Sequence, residues 1–153
     1  MSRKPLSVIV LALVLMSTIA VPVTAYQYSM TNVEWYDTIS DLFPWGRDVC
    51  TVVSNWLGGS AGWSQRFYDQ NGNVDDLDFG SQDSGYQGLD EADLHYHFGH
   101  GDLVSGETYV AYSNYPSSSL VRGDVYKKWD ATNKWVIFDA CYVLLKSPVG
   151  SRS

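Results

Sequence analysis

Two stretches decide how this chain is read: Leu94-His95-Tyr96-His97-Phe98-Gly99-His100-Gly101 and Lys134-Trp135-Val136-Ile137-Phe138-Asp139-Ala140-Cys141. Each is a short β-prone run that stops abruptly at a small residue beside a side chain capable of chemistry. Trp135 to Phe138 is apolar at every position, as expected for a strand covered on both faces of a parallel sheet. In parallel α/β sheets reactive groups gather beyond the carboxyl ends of central strands, where the loops diverge. If the two strands are neighbours, His100 and Cys141 emerge side by side. A thiol is nucleophilic only as thiolate, and an imidazole can take its proton or stabilise the ion. Gly101 lets backbone approach a substrate carbonyl, so its N–H and that of Cys141 could bind a developing oxyanion.

The elements around these strands support an α/β domain. Val49, Val52, Val53, Trp56 and Leu57 recur at helical spacing and predict an amphipathic helix, with Asp48 as N-cap and Gly58-Gly59 as its stop. Asn32 to Tyr36 reads as a strand. So do Gly62 to Tyr68 and, after a tight turn at Asp69 to Asn73, Val74 to Phe79. Gly80 to Gly88 has the composition of a surface loop. Thr108 to Tyr112 reads as a strand and Asn114 to Ser119 as a loop, while helical periodicity before Trp135 is weak.

A hydrophobic strand ending in His-Gly, followed about 40 residues later by one ending in Asp-Ala-Cys, resembles the clan of cysteine peptidases that includes caspases, legumains, gingipains, clostripain and separase. The run from the acidic-aliphatic lead-in through Gly-His-Gly to Asp-Ala-Cys is also similar to a family of exported prokaryotic proteins related to that clan. The resemblance implies a caspase-like α/β sandwich with a largely parallel sheet in which the two strands are adjacent. It further implies His100 and Cys141 as the catalytic dyad, Gly101 as an oxyanion donor, and His97 and Asp139 as supporting residues. Clan members continue past the cysteine with further strands, whereas Tyr142 to Ser153 alone follow it here. The sheet is therefore expected to be incomplete at its C-terminal end, and the peptide hydrolysis of the ancestor need not survive.

Composition sets the wider frame. Arg3 and Lys4 precede an apolar run from Leu6 to Ala20, and Val23-Thr24-Ala25 offers the small residues of a cleavage site, the layout of a secretory signal over 1–25. Ser17, Thr18 and Pro22 interrupt the run, so cleavage is expected, with an uncleaved anchor as the alternative and the sole route to a membrane. A single domain over 26–146 and a tail over 147–153 follow, in an extracytoplasmic setting, secreted or at the cell surface. Losing Arg3 and Lys4 from the 10 basic residues, against 17 acidic ones, takes the net charge from −7 to −9. Such a surface repels nucleic acid and anionic headgroups, and favours peptides or proteins with basic residues. With 45% hydrophobic and 14% aromatic residues the chain can build a core and is not disordered by composition.

Other readings stay open at this stage. In an oxidising compartment Cys50 and Cys141 could form a disulfide, giving a stapled structural protein; alternatively, Cys50 is a small buried side chain beside the helical stripe. A non-catalytic surface module of the same fold, binding peptide, calcium or a protein partner, is the other alternative. His95 and His97 share a strand face and read as satisfied sheet histidines before they read as metal ligands. Asp69, Asn71, Asn73 and Asp75 have the alternate-residue oxygen spacing of a calcium loop, but Val74 and Gly80 stand where such a loop needs Gly and Glu, so a turn is the default and calcium an option. The dyad itself requires no cofactor. Six tryptophans spread along the chain read as core and rim packing.

Overall fold

Four strands, β1 (Gln27–Asn32), β2 (Ser64–Gln70), β3 (Leu94–Phe98) and β7 (Trp135–Asp139), form a wholly parallel sheet in the order β2-β1-β3-β7. The computed structural model describes residues 25–81, 88–129 and 131–143. The expected signal segment, but for its last residue, and the expected tail over 147–153 therefore lie outside the described residues, as does most of the Gly80 to Gly88 loop. Between β3 and β7 the chain builds an antiparallel three-stranded sheet from β4 (Gly101–Val104), β5 (Glu107–Ala111) and β6 (Ser119–Val121). The molecule is an α/β protein built on a parallel sheet, as the two opening stretches require.

The strand pattern dictates two cores. On one face Tyr28 and Met30 of β1 and Tyr96 of β3 pack with Cys50 and Leu57 of the helical segment. That segment is α1 (Trp45–Ser54), continued by a wider turn over Asn55–Ser60 that absorbs Gly58-Gly59 instead of stopping there. The helix begins before Asp48, at Trp45 after Pro44, and its first turn lies close on the sheet at Gly46, where a Cβ would lie 2.4 Å from the Asn32 side chain and 3.0 Å from Phe98. Only part of the predicted apolar stripe turns inward. Val49, Val53 and Leu57 pack against the core, while Val52 and Trp56 are 68% and 63% exposed.

The opposite face carries Ser29, Thr31, His95 and His97, covered by Phe79, Leu89, Tyr112, Val110 and Leu120. Here the second predicted strand, Val74 to Phe79, is instead a series of turns that delivers Phe79 to the core, fully buried. The first strand starts earlier than its β-propensity suggests, at Gln27, and Val33 to Tyr36 belongs to the loop that follows it. A short helix α2 (Arg122–Val125) follows β6.

The apolar strand β7 departs from expectation in one respect. Val136 and Phe138 pack on the core, but Trp135 and Ile137, on the other face, are each 46% exposed. Strand β7 is one edge of the sheet, and its Trp135 and Ile137 side is left half-exposed, so it is covered on one face and not on both.

Candidate functional site

The registers bring the two decisive segments together. Strands β3 and β7 are adjacent and parallel, pairing Leu94 with Trp135 and Phe98 with Asp139. The Gly99 N–H donates to the Asp139 carbonyl at 3.3 Å, extending the pairing past the last register pair. His100 and Cys141 therefore leave the same edge from neighbouring strands. Their loops are in close contact: a Cβ on Gly101 would fall 1.9 Å from the Cys141 carbonyl oxygen and 3.3 Å from its amide nitrogen. No other residue type fits at position 101 without moving the cysteine backbone.

The loop after β1 fixes His100. Its backbone N–H donates to Tyr36 Oη at 2.8 Å, and Tyr36 Oη in turn donates to the Val33 carbonyl at 2.9 Å. The two rings lie 4.9 Å apart between centroids. Burial pushes the Tyr36 phenol above its ordinary value, so it stays protonated and able to donate. His100 Nε2 lies 2.8 Å from the Ser40 carbonyl oxygen. A carbonyl only accepts, so Nε2 carries the proton, and the Nδ1 lone pair of the neutral ring is left as a base. No hydrogen bond joins the His100 ring to the Cys141 thiol in this arrangement; what the fold shares between them is the sheet edge and the backbone contact.

The cysteines differ sharply and are both free, so the disulfide alternative is not realised. Cys141 is exposed at the sheet edge, whereas Cys50 is fully buried on the inner face of α1 among Tyr28, Met30, Leu57 and Tyr96. Burial pushes the Cys50 thiol up to about 11.

The supporting residues divide. Asp139 accepts from Tyr96 Oη at 2.7 Å, a bond that ties β3 to the final residue of β7 two positions before the thiol. His97 belongs to a buried polar chain: Ser29 Oγ to His95 Nδ1 at 2.8 Å, His95 Nε2 to Thr31 Oγ1 at 3.1 Å, and Thr31 Oγ1 to His97 Nδ1 at 2.9 Å. A single hydroxyl can donate to one ring and accept from the other, so Thr31 joins two neutral imidazoles. Burial pulls both histidines down to about 3, His95 with an added contribution from His97. His97 Nε2 has no hydrogen-bond partner and lies where a Cβ on Gly99 would be only 2.8 Å away. His97 thus packs against the turn at Gly99 that leads to His100.

The calcium-loop residues are organised as turns. Asn71 Oδ1 accepts the Glu34 and Trp35 N–H groups, and Asp75 Oδ1 accepts the Leu77 N–H. Asn73 closes the short helical turn over Asn71–Asn73, and Asp69 lies near the end of β2. The residue that sequence reading passed over is Asp78. Burial pushes its carboxyl up to about 7, the Asp75 N–H opposing and the Asp69 and Asp75 charges adding. At pH 8 its charge is thus held at a cost, and Asp78→Asn is expected to stabilise the fold by about 4 kcal/mol there, the gain disappearing towards pH 4. Urea unfolding at both pH values checks this; equal midpoints for the two proteins at pH 8 would disprove it.

Sequence reading also missed Tyr36 and Ser40. Tyr36 was placed within a strand, and Ser40 acts through a backbone carbonyl that any residue could supply, so neither left a signal in the sequence. Comparison with protein-family models and with curated proteins returns no match.

Proposed function

We propose that the chain carries the site of a caspase-like cysteine peptidase-related domain, working outside the cytoplasm, with His100 and Cys141 as its dyad. The observation that carries this reading is the delivery of an imidazole and an exposed thiol from adjacent parallel strands to one edge, with the imidazole tautomer set by the Ser40 carbonyl. In the reaction, Nδ1 of His100 takes the Cys141 proton and the thiolate attacks the peptide carbonyl. The oxyanion that forms is met by the Gly101 and Cys141 N–H groups. Collapse of this intermediate breaks the C–N bond, and the imidazolium returns its proton to the leaving amine. Water then attacks the thioester and releases the acid, restoring the thiol.

Substrate charge follows from the same loop. Asp41 adjoins Ser40 and is exposed while its Oδ1 accepts the Tyr36 N–H, so a Lys or Arg side chain of a bound peptide meets negative charge on the loop that holds His100. A peptidyl acyloxymethyl ketone ending in Lys or Arg tests the proposal. It is expected to add covalently to Cys141 of the wild-type chain, to add at least about tenfold more slowly to His100→Ala, and not to add to Cys141→Ala. A wild-type Cys141 left unmodified between pH 5 and pH 9 would end the peptidase reading.

A further inference from the structure

The N-terminal edge of the parallel sheet, opposite the dyad, holds an aromatic group that the peptidase reading does not use. Tyr26, just before β1, lies 4.9 Å from Trp63 and 6.1 Å from Trp135 between ring centroids, and Trp63 and Trp135 are 6.0 Å apart. The Lys134 ammonium sits 4.9 Å from the Tyr26 ring centre. The group continues over the uncovered face of β7 to Ile137 and across to Trp56, forming a shallow, mainly apolar concavity of about 550 Å³. Tyr26, Trp56, Trp135 and Ile137 are each between 46% and 63% exposed.

What covers this face is indicated by the chain that leads into it. Residues 6–25 contain no charged residue, and the next charge after Lys4 is Glu34. Ser17, Thr18 and Pro22 interrupt this stretch and a cleavage site closes it, yet with about 20 charge-free residues it is long enough to span a bilayer if left uncleaved, and Arg3 and Lys4 on its N-terminal side would hold that end in the cytoplasm. The stretch ends at Ala25, which lines a cleft with Tyr26, Gln27, Ser64, Asp93 and Lys134 at this same edge. Tryptophan and tyrosine concentrate where a membrane meets water, and Lys134 at this edge is paired with Asp93, which neutralises its charge there.

We propose that Tyr26, Trp56, Trp63, Trp135 and Ile137 form a membrane-contact surface, seating the domain on the outer leaflet of the bilayer in which residues 6–25 are retained as an anchor. A strand of five or six residues then separates the bilayer from His100 and Cys141 by about 17 Å, and the dyad opens toward the aqueous phase. The net charge of −7 makes zwitterionic lipid the fitting surface and anionic lipid a poor one.

The test uses the full chain produced in a bacterial host. After carbonate washing it is expected in the membrane fraction with its N-terminal segment intact. In phosphatidylcholine nanodiscs brominated near the headgroup, its tryptophan emission is expected to be quenched. Trp56→Ala combined with Trp135→Ala should reduce that quenching by about half. Thermal unfolding of the double variant should match the wild type, since both side chains are largely exposed. A soluble protein beginning at Tyr26, quenching no greater than in unbrominated discs, or quenching unchanged by the double substitution would each overturn the proposal. So would a detergent-free dimer that protects Trp135 from quenching, which would mean that a second copy covers the face. None of these outcomes bears on the reactivity of Cys141.

Discussion

Between pH 6.5 and pH 4 the folded protein is expected to lose about 1.4 kcal/mol of stability per pH unit, a slope set by groups inside the fold. His95 and His97 are depressed to about 3 from an ordinary 6.5, so the unfolded chain binds up to two protons that the folded one refuses. For groups shifted in this direction, stability is complete above the unfolded value and is lost as pH falls towards the folded one. Asp78 works the other way: raised to about 7, it gives the folded state one proton more than the unfolded state between that value and its ordinary 3.8. The difference is one proton.

Over that interval the loss amounts to about 3 kcal/mol, the slope setting in as the unfolded histidines fill, and this is a large share of the 5–15 kcal/mol typical of a domain. Urea midpoints at pH 7, 6, 5 and 4, followed by circular dichroism, measure it. In Asp78→Asn the opposing proton is gone, and the slope should roughly double to about 2.7 kcal/mol per unit. A midpoint that stays level from pH 6.5 to pH 4.5 in both proteins would show that the histidines are not held neutral by burial.

The second large effect is a contrast between the two thiols. With its thiol pushed up to about 11, Cys50 has about 300-fold less thiolate at pH 7.5 than an unperturbed thiol, before its lack of access is counted. Iodoacetamide is therefore expected to modify Cys141 alone in the folded chain, by at least two orders of magnitude, and both cysteines in urea. Mass spectrometry of the digest assigns the sites without any assumption about catalysis. In His100→Ala the Cys141 rate should fall at neutral pH and recover as pH rises, because the base has been removed and the thiol must ionise unaided. Rates that are the same in both proteins at every pH would separate His100 from Cys141, leaving the non-catalytic binding module as the better account of this fold.

Much of this site could be read in the sequence because the informative patterns are local. The alternation of His95, Tyr96 and His97 places the two histidines on one face, and both are buried and hydrogen-bonded there, apart from His97 Nε2. The abrupt stops at Gly99 and Ala140 do mark strand ends, and the small buried thiol inferred for Cys50 is one. The turn at Asp69 to Asn73 exists, but the strand expected after it does not. Val74 and Phe79 are apolar because a loop carries them into the core, and periodicity cannot distinguish that from a short strand.

What the sequence determined alone is the chemistry available and the segments that bear it: a histidine and a cysteine at two strand ends, an apolar run near the N-terminus, and a net negative charge. Tertiary structure decided the rest. Adjacency of β3 and β7, the Ser40 carbonyl that sets the His100 tautomer, the Tyr36 hydroxyl beneath it, and the exposure of Trp135 and Ile137 at a sheet edge all depend on partners distant in the chain. The physical reason is that a residue's own pattern records which way it alternates. Which backbone oxygen meets its ring, and whether another element covers its face, is fixed only when separate segments pack.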